Sequence, residues 1–381
     1  FGIQSVKAES KTWTVDDDGP ADFSKIQDAI NAASAGDTVS VRNGTYYENN
    51  ILVNKGNISL VGENRETTII DGGKAGGVKV LVITEDNVTV TGFTIKSSIQ
   101  LESGPLYIGI ALDQVRNCNI SGNKITNNNY GIELSSSLYS TIAANNITKN
   151  GRGIRLAYSE NNSITDNDIS KNGIGVWLSS SEGNDIIGNN ITDNREAIWF
   201  SSYSSHNSIS GNNVTNNRLG SELLRSSNNS ITDNIFVKDG LYVDESYGNV
   251  VDGNIVNGKP VVYLEGVSNR IIKDAGQVIL VNCNAIRMEN LEISNTTVGV
   301  ELWTTSNSEI TGNHISTNTH SGIWLVSSSN NSIYGNSIKN SNIGIRLYSS
   351  SSNKIFHNNF MDNWLQAYVP SSSGNLWDMV I

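Results

Sequence analysis

The sequence is poor in the residues that cross-link, kink or anchor a chain. Its 381 residues include two cysteines, four prolines and three methionines. Two cysteines, Cys118 and Cys283, are too few for a disulfide scaffold, so we expect free thiols, with an intermolecular bond as the alternative. No apolar run approaches the roughly 18 residues that cross a bilayer, and there is no charged-then-apolar leader. We therefore expect no membrane span within this chain.

Charge is sparse and mostly negative. Charged residues make up 17% of the chain, and the formal net charge is -11. Nucleic-acid binding needs clustered Lys and Arg that neutralise phosphates, so the composition excludes a nucleic-acid partner. The negative net charge also disfavours binding of acidic polysaccharides unless a cation bridges them to the protein.

Asn, Ser, Thr and Gly are abundant instead, and they recur at a fixed period. A Gly-Ile-x-Leu segment is followed by further isoleucines and asparagines at constant offsets, and the whole unit repeats every 22 or 23 residues. Copies begin at Gly131, Gly153, Gly175, Ala197, Gly299, Gly322 and Gly344. Such a period is the signature of a stacked repeat architecture.

Within each copy, apolar and polar residues alternate over three short runs, as expected of half-buried strands. Each run is too short to bury a face alone, so it needs the next copy stacked on it. The sequence therefore predicts an all-β fold, a right-handed single-stranded parallel β-helix of about 22-residue coils. Ser24 to Gln27 resembles a capping box that opens a short helix, with Ile26, Ala29, Ile30 and Ala33 on one face, which would cap the N-terminal mouth.

We expect a single domain over 1–381. Its parts are an N-terminal strand and capping helix (1–38), regular coils (39–239), irregular coils or an insertion (240–298), and regular coils with a C-terminal edge (299–381). No Pro-rich, Gly/Ser-rich or charged linker interrupts the pattern.

Asparagine occupies one corner in coil after coil, which indicates an architectural role. Asn tolerates the left-handed backbone of a sharp corner, and stacked amides can hydrogen-bond between coils. The predicted structural ladder is Asn123, Asn145, Asn167, Asn189, Asn212, Asn234, Asn254, Asn313, Asn336 and Asn358. A second column is Asn128, Asn150, Asn172, Asn194, Asn217, Asn318 and Asn363.

The x position of the Gly-Ile-x-Leu strand should face solvent, because its neighbours on both sides point inward. The column is rich in aromatic and charged residues, which suits stacking against sugar rings and hydrogen bonding to their hydroxyls. The predicted ligand-binding face is Glu133, Arg155, Trp177, Trp199, Glu222, Tyr242, Trp324 and Arg346, and the same column holds Glu301 and Tyr368. A ladder that only stabilises its neighbouring strands, and a protein contact in a surface layer, are the alternatives.

The opening Phe23-Ser-Lys-Ile-Gln, the phrase Ile69-Ile-Asp-Gly and the Asn-x-Ile coils resemble the NosD-like family of parallel β-helix repeat proteins. That family is also described as carbohydrate-binding and sugar-hydrolase β-helices, and it is plentiful in archaeal cell-surface proteins. The resemblance implies this fold and export, but no single activity. The catalytic motifs of pectin methylesterases, alginate epimerases and polygalacturonases are missing.

We expect a secreted or cell-surface, non-catalytic protein that binds a polysaccharide or surface glycan, assembles with its own copies through the C-terminal edge, or does both. One alternative is a polysaccharide lyase, hydrolase or epimerase acting on the Trp-bearing face, with catalytic residues unknown. Another is an accessory role in copper-site maturation, for which the chain offers only four histidines, His206, His314, His320 and His357. We expect no cofactor and no metal, although Asp16 to Asp18 could attract a calcium ion. Asn-x-Ser/Thr sequons predict glycosylation at Asn43, Asn57, Asn87, Asn146, Asn190, Asn213 and Asn295.

Overall fold

The computed structural model describes residues 9–73, 79–97 and 107–380. It divides into two compact units: unit 1 comprises Phe1–Val176 and Ser181–Asp185, and unit 2 comprises Trp177–Ser180 and Ile186–Ile381. Two strands, Ile174–Ser179 and Asp185–Ile187, contain residues of both units. That the chain forms one continuous domain stays a prediction. No helix in the described ranges is long and apolar enough to cross a membrane.

Unit 1 is a parallel β-helix, as predicted. Each coil contributes one short strand to each of three sheets, and strands of successive coils pair in parallel. The first sheet contains Thr12–Val15, Thr38–Val41, Ser59–Gly62, Thr89–Thr91, Asn119–Ser121, Thr141–Ala143 and Ser163–Thr165. The second contains Gly44–Tyr46, Thr68–Asp71, Thr94–Lys96, Lys124–Thr126, Asn146–Thr148 and Asp168–Ser170. The third contains Ile51–Val53, Lys79–Ile83, Ile108–Asp113, Tyr130–Ser135 and Arg152–Ala157.

The inward side chains of unit 1 lie directly above one another. Ile132 pairs with Ile154 and Leu134 with Leu156 in the third sheet, and all four side chains are fully buried. The other two sheets carry equivalent isoleucine files. Each buried aliphatic side chain contributes about 1.5–3 kcal/mol through the hydrophobic effect. The 22-residue period therefore produces a continuous core.

The corner asparagines hydrogen-bond from coil to coil. Asn145 Nδ2 donates to Asn167 Oδ1 at 3.0 Å and to the Ile120 carbonyl at 2.9 Å, while its Oδ1 accepts the Asn123 backbone N–H at 2.9 Å. In unit 2 the amides of Asn189, Asn212, Asn234 and Asn254 are linked in the same way, as are those of Asn313, Asn336 and Asn358.

We predicted that the corner asparagines themselves adopt the left-handed backbone conformation, and this prediction is wrong. The left-handed residue at each corner is the one before the ladder asparagine: Ala144 has φ 53° and Asp166 has φ 53°. In the second column Lys149 precedes Asn150 with φ 57°. The asparagine is required for its amide, which satisfies buried backbone groups, and the residue before it makes the bend.

The N-terminal helix, Ile26–Ala32, is capped differently from the prediction. Its predicted face is buried, with Ile26, Ala29 and Ile30 at 0% exposure. No side chain of the helix start caps it, and Ser24 makes no capping box. The Glu48 carboxylate instead accepts the backbone N–H groups of Ile26 at 2.8 Å and Gln27 at 3.2 Å. A carboxylate that is distant in sequence thus replaces the local cap, and its negative charge interacts favourably with the helix dipole.

Unit 2 contains two stacks of coils. The first stack comprises residues 186–256, and the second comprises residues 259–380. The strands of the first stack are Ser208–Ser210, Ser230–Thr232 and Val250–Asp252; Asn190–Thr192, Asn213–Thr215, Ile235–Val237 and Ile255–Val256; and Glu196–Ser201, Leu219–Leu224 and Leu241–Asp244.

The strands of the second stack fall into three rows. They are Lys259–Glu265, Gln277–Val281, Val298–Trp303, Ser321–Val326, Ile343–Tyr348 and Leu365–Tyr368; Ile271–Ile272, Arg287–Glu289, Glu309–Thr311, Ser332–Tyr334, Lys354–Met361 and Leu376–Val380; and Glu292–Ser294, His314–Ser316 and Ser337–Lys339. Lys354–Met361 is long enough to pair with both Ser332–Tyr334 and Ser337–Lys339.

The chain reverses between the two stacks. Ile255–Val256 pairs antiparallel with Lys259–Glu265 through a tight turn in which Asn257 and Gly258 have φ of 50° and 83°. The following strand, Gln277–Val281, pairs in parallel again. This reversal lies inside the region 240–298, where the sequence repeat is interrupted.

Side chains of the second stack cover the last strand of the first stack. The buried Gln277 amide accepts the Leu241 N–H at 3.0 Å and donates to the Leu241 carbonyl at 2.6 Å. It also donates to the Val298 carbonyl at 2.8 Å, and the Glu301 carboxylate lies 3.4 Å from the Val243 nitrogen. Strand Leu241–Asp244 would otherwise present unpaired backbone groups, so these side chains hold the two stacks face to face.

Replacing Asn145 with alanine should destabilise unit 1 by about 2–4 kcal/mol, because it leaves the buried Asn123 N–H and Ile120 carbonyl unsatisfied. The matched control is Asn146→Ala, whose side chain lies on the outer surface of the next strand and should cost under about 0.5 kcal/mol. Denaturant unfolding and hydrogen exchange at the Asn123 amide measure both variants. Equal effects of the two substitutions would contradict the ladder's role.

Candidate functional site

A cleft of about 430 Å³ opens where the two stacks of unit 2 face each other. One wall is formed by strands Leu219–Leu224 and Leu241–Asp244, and the other by Val298–Trp303, Ser321–Val326 and Ile343–Tyr348. The side chains that carry chemistry are Glu222, Arg225, Tyr242, Asp244, Glu245, Trp303, His320, Trp324, Arg346 and Tyr348.

Strand parity directs these side chains into the cleft. Glu222 pairs in register with Tyr242, so both leave the same face of their sheet. Asp244 lies two residues beyond Tyr242 and therefore shares that face. On the opposite wall Trp324 pairs with Glu301 and Arg346.

Stacked rings join the two walls. Tyr242 lies parallel to Trp324, with ring centroids 4.9 Å apart and an interplanar angle of 6°. His320 stacks on the same tryptophan at 4.7 Å. Trp324 is only 6% exposed and Glu301 is fully buried, so for these two residues the expected solvent-facing position is wrong. The reversal of the chain covers them with the first stack.

The predicted ligand-binding column is divided. Glu133 and Arg155 lie in unit 1, where they form an ion pair. In unit 2, Trp177 and Trp199 stack on each other at 5.1 Å without lining the cleft. Glu222, Tyr242, Trp324 and Arg346 line it together.

Burial and the charges of neighbouring acids raise the pKa values of three carboxyl groups at the cleft, those of Glu222, Asp244 and Glu301. The pKa of Glu222 is raised to about 7, mainly by burial and then by the charges of Glu196 and Asp244. Burial also raises the pKa of Asp244, although its Oδ2 accepts a hydrogen bond from the Tyr242 hydroxyl at 3.1 Å. The pKa of Glu301 lies well above its ordinary value because the carboxyl is completely buried. Trp303 Nε1 donates to it at 2.7 Å.

Basic groups lie beside these acids. Arg225 is paired with Glu245 at 2.6 Å. Burial, with a smaller contribution from Arg346, lowers the pKa of His320 to about 4. The imidazole is therefore neutral near pH 7, and its Nε2 lies 3.0 Å from an Arg346 guanidinium nitrogen.

Sequence reasoning missed Asp244, Trp303 and the part that His320 plays in the cleft. Asp244 could have been found, because it is two residues after Tyr242 and so shares its orientation. Trp303 and His320 reach the cleft only because the chain reversal places the second stack against the first. No local sequence pattern predicts that reversal.

Other predicted residues lie outside the cleft. All seven predicted glycosylation asparagines are at least partly exposed, and their modification stays a prediction. Cys118 and Cys283 are buried free thiols whose pKa values are raised by burial. Burial disfavours an intermolecular disulfide at either position.

Comparisons with known families define the class of protein. A family model described as "Right handed beta helix region" matches residues 175–276. The predicted right-handed parallel β-helix is thereby confirmed.

A second family model, described as "Periplasmic copper-binding protein (NosD)", matches residues 30–220 and 272–380. These segments make up most of the chain. The chain belongs to the NosD family, as its sequence resemblance predicted.

Several solved structures are similar. DFA-IIIase from Arthrobacter chlorophenolicus A6, in complex with DFA-III, is 13% identical, with 96% of this chain and 93% of that chain covered and a TM-score of 0.52. The mannuronan C-5 epimerase AlgE6 A-module of Azotobacter vinelandii is 17% identical, with 94% and 96% covered and a TM-score of 0.41. The Dettilon tailspike protein is 15% identical, with 92% and 61% covered and a TM-score of 0.46. A search of curated proteins finds no match. At these identities the structural similarities show the fold alone.

The described residues do not fit the copper ion that the family description implies. Among them, the group of three or more His, Cys, Asp or Glu side chains close enough to share a metal is Asp16, Asp17 and Asp18. Carboxylates suit magnesium, calcium or manganese, whereas copper favours imidazole, thiolate and thioether ligands. His320 is a poor ligand because the Arg346 guanidinium adjoins its Nε2. Asp16 Oδ1 already accepts the Gly19 N–H at 3.1 Å, as in an ordinary turn.

The raised pKa of Glu222 predicts a pH-dependent stability. The folded state retains a proton between about pH 4.5 and 7 that the unfolded chain releases, so this contribution to stability is lost as pH rises through that window. Glu222→Gln should therefore match the parent below about pH 4 and be more stable at pH 8, by on the order of 1–3 kcal/mol. Denaturant unfolding at both pH values measures the difference. Glu160→Gln, on the exposed surface, is the control, and a pH-independent effect of Glu222→Gln would contradict the assignment.

Proposed function

We propose that this NosD-family β-helix is an exported carbohydrate-binding protein, and that it binds its glycan in the cleft of unit 2. The observation that carries the proposal is the cleft itself, in which aromatic rings and polar groups converge on one concave surface. Its volume lies in the range of small-molecule sites, roughly 300–1,000 Å³. The periplasmic description of the family supports export.

The two kinds of cleft residue match the two surfaces of a sugar. The apolar face of a sugar ring packs against an aromatic ring, and its hydroxyl groups need donors and acceptors at the edge. Tyr348 offers an accessible ring, since it is 46% exposed and lines the cleft. Glu222, Asp244 and Arg346 supply the hydrogen-bonding groups around it.

Assembly of copies through the final strands, Leu365–Tyr368 and Leu376–Val380, stays a separate proposal. It draws support from Leu376, which is 65% exposed on the second of these strands, and from Trp364, which is 77% exposed immediately before the first. Exposed apolar side chains on edge strands are a common site of self-association.

Carbohydrate binding can be tested with a matched pair of tyrosines. Tyr348→Ala should weaken glycan binding about three- to tenfold, because one stacking contact is lost. Tyr158→Ala removes an exposed ring outside the cleft and should leave binding unchanged. Calorimetry against a panel of neutral and acidic oligosaccharides measures both variants. Binding to no member of the panel, or equal losses in the two variants, would contradict the proposal.

The second candidate function is hydrolysis of a glycosidic bond, and the raised pKa of Glu222 favours it. A general acid must hold its proton near neutral pH, as Glu222 does. Asp244 lies on the adjacent coil and two residues further along, which places the two Cα atoms roughly 8 Å apart. Inverting glycosidases hold their two carboxyl groups about 6.5–9.5 Å apart, leaving room for a water molecule. Side chains that leave the same sheet face from these two Cα positions can place their carboxyl groups at that separation.

In this reaction Glu222 donates its proton to the leaving oxygen as the glycosidic C–O bond breaks. Asp244 removes a proton from water, whose oxygen forms the new bond to the anomeric carbon. Glu222→Gln should then reduce the release of reducing ends at least about a hundredfold while binding persists. Asp244→Asn should do the same. If the parent protein releases no reducing ends from any glycan that it binds, catalysis is excluded and carbohydrate binding remains.

A further inference from the structure

Arg346 is the basic side chain of the cleft that lacks an acidic partner among the described residues. Its guanidinium lies over the Trp324 ring at 4.6 Å and over the Tyr368 ring at 5.5 Å. One terminal nitrogen lies 3.0 Å from His320 Nε2, and none of these neighbours is negatively charged. Within the described part of the chain, its Nε is buried without a hydrogen-bond partner.

The arrangement fixes the guanidinium rather than leaving it mobile. Neutral His320 accepts from Arg346, and its Nδ1 lies 3.0 Å from the Ser321 hydroxyl, which is consistent with the tautomer protonated at Nδ1. Two aromatic rings restrict the plane of the guanidinium. A planar, pre-oriented fork of donors is the geometry that recognises an anion through two hydrogen bonds.

The acids of the cleft do not cancel this charge. Glu245 is paired with Arg225. Glu301 is fully buried and hydrogen-bonded to Trp303. Burial is the main cause that raises the pKa values of Glu222 and Asp244, and the opposing effect of the Arg346 charge on Asp244 is small beside it. Arg346 is thus the basic group left for a ligand.

We propose that the cleft selects a sugar bearing an anionic substituent, a uronate carboxylate or a sulfate ester, and that Arg346 receives this group. The inference rests on the proposed carbohydrate binding and adds the class of sugar. The negative net charge of the chain does not oppose it at short range, because charges more than about 8–10 Å away are screened at physiological salt. A guanidinium in direct contact with the ligand is screened much less.

The test compares acidic oligosaccharides with uncharged forms of the same sugars. The probes are tetramers of galacturonate, mannuronate, guluronate and glucuronate, each beside its methyl ester, and sulfated galactan oligomers beside their desulfated forms. Titration calorimetry on the full chain measures each dissociation constant. We expect at least one acidic probe to bind tenfold or more tightly than its uncharged form, the loss expected when a charge-assisted pair is removed.

Two variants assign the preference to Arg346. Arg346→Met should abolish the difference between acid and ester, because it lowers the affinity for the acid at least tenfold more than the affinity for the ester. Arg346→Lys retains the charge without the fork and should keep a reduced preference. Arg270→Met is the control, since it removes the same net charge from an exposed position outside the cleft. Thermal unfolding of every variant checks that the fold is intact.

The failures of the two proposals differ. If esters and acids bind the parent equally, the anionic specificity is wrong and carbohydrate binding stands. If Arg346→Met weakens acid and ester alike, Arg346 only supports the wall of the cleft, which also overturns the inference. If no probe binds, acidic or neutral, both proposals fall.

Discussion

The structure depends on one constraint, that each coil must place its buried polar side chains where the next coil can bond them. Asn145 meets this constraint by accepting from the coil on one side and donating to the coil on the other. A buried amide left without partners costs about 1–3 kcal/mol, so a register error of one residue would be penalised at every corner. The aliphatic files supply most of the free energy of burial, and the asparagine ladders fix which residues stack.

The reversal in unit 2 applies the same constraint with different groups. Where the first stack ends, the last strand would expose backbone donors and acceptors. Gln277 satisfies both groups of Leu241, and Glu301 approaches the Val243 N–H. Since no further coil occupies this edge, the outward side chains of two stacks meet and enclose a cleft. Outward-facing side chains of both stacks therefore meet at one site. Tyr242 of the first stack, for example, stacks on Trp324 of the second.

The 22-residue repeat and the alternation of side chains along each strand were sufficient to predict the parallel β-helix and the direction of Glu222, Tyr242 and Arg346. Apolar spacing was sufficient to predict the buried face of the N-terminal helix. These patterns were insufficient wherever the partner comes from far along the chain. Glu48 caps the helix in place of Ser24, and no local pattern links those residues. Trp324 was expected in solvent because the repeat alone does not reveal that another stack covers it. The corner asparagines were recognised by position, but the left-handed backbone belongs to the residue before each of them.

The cleft between the stacks of unit 2 is the place where we propose that a carbohydrate binds. A crystal structure of the protein soaked with an acidic oligosaccharide tests this most directly. We expect a sugar ring against Tyr348, with its anionic group within hydrogen-bonding distance of Arg346 and with Glu222 at the edge of the ring. A sugar seated instead on the Trp177 and Trp199 pair, with the cleft empty, would contradict it.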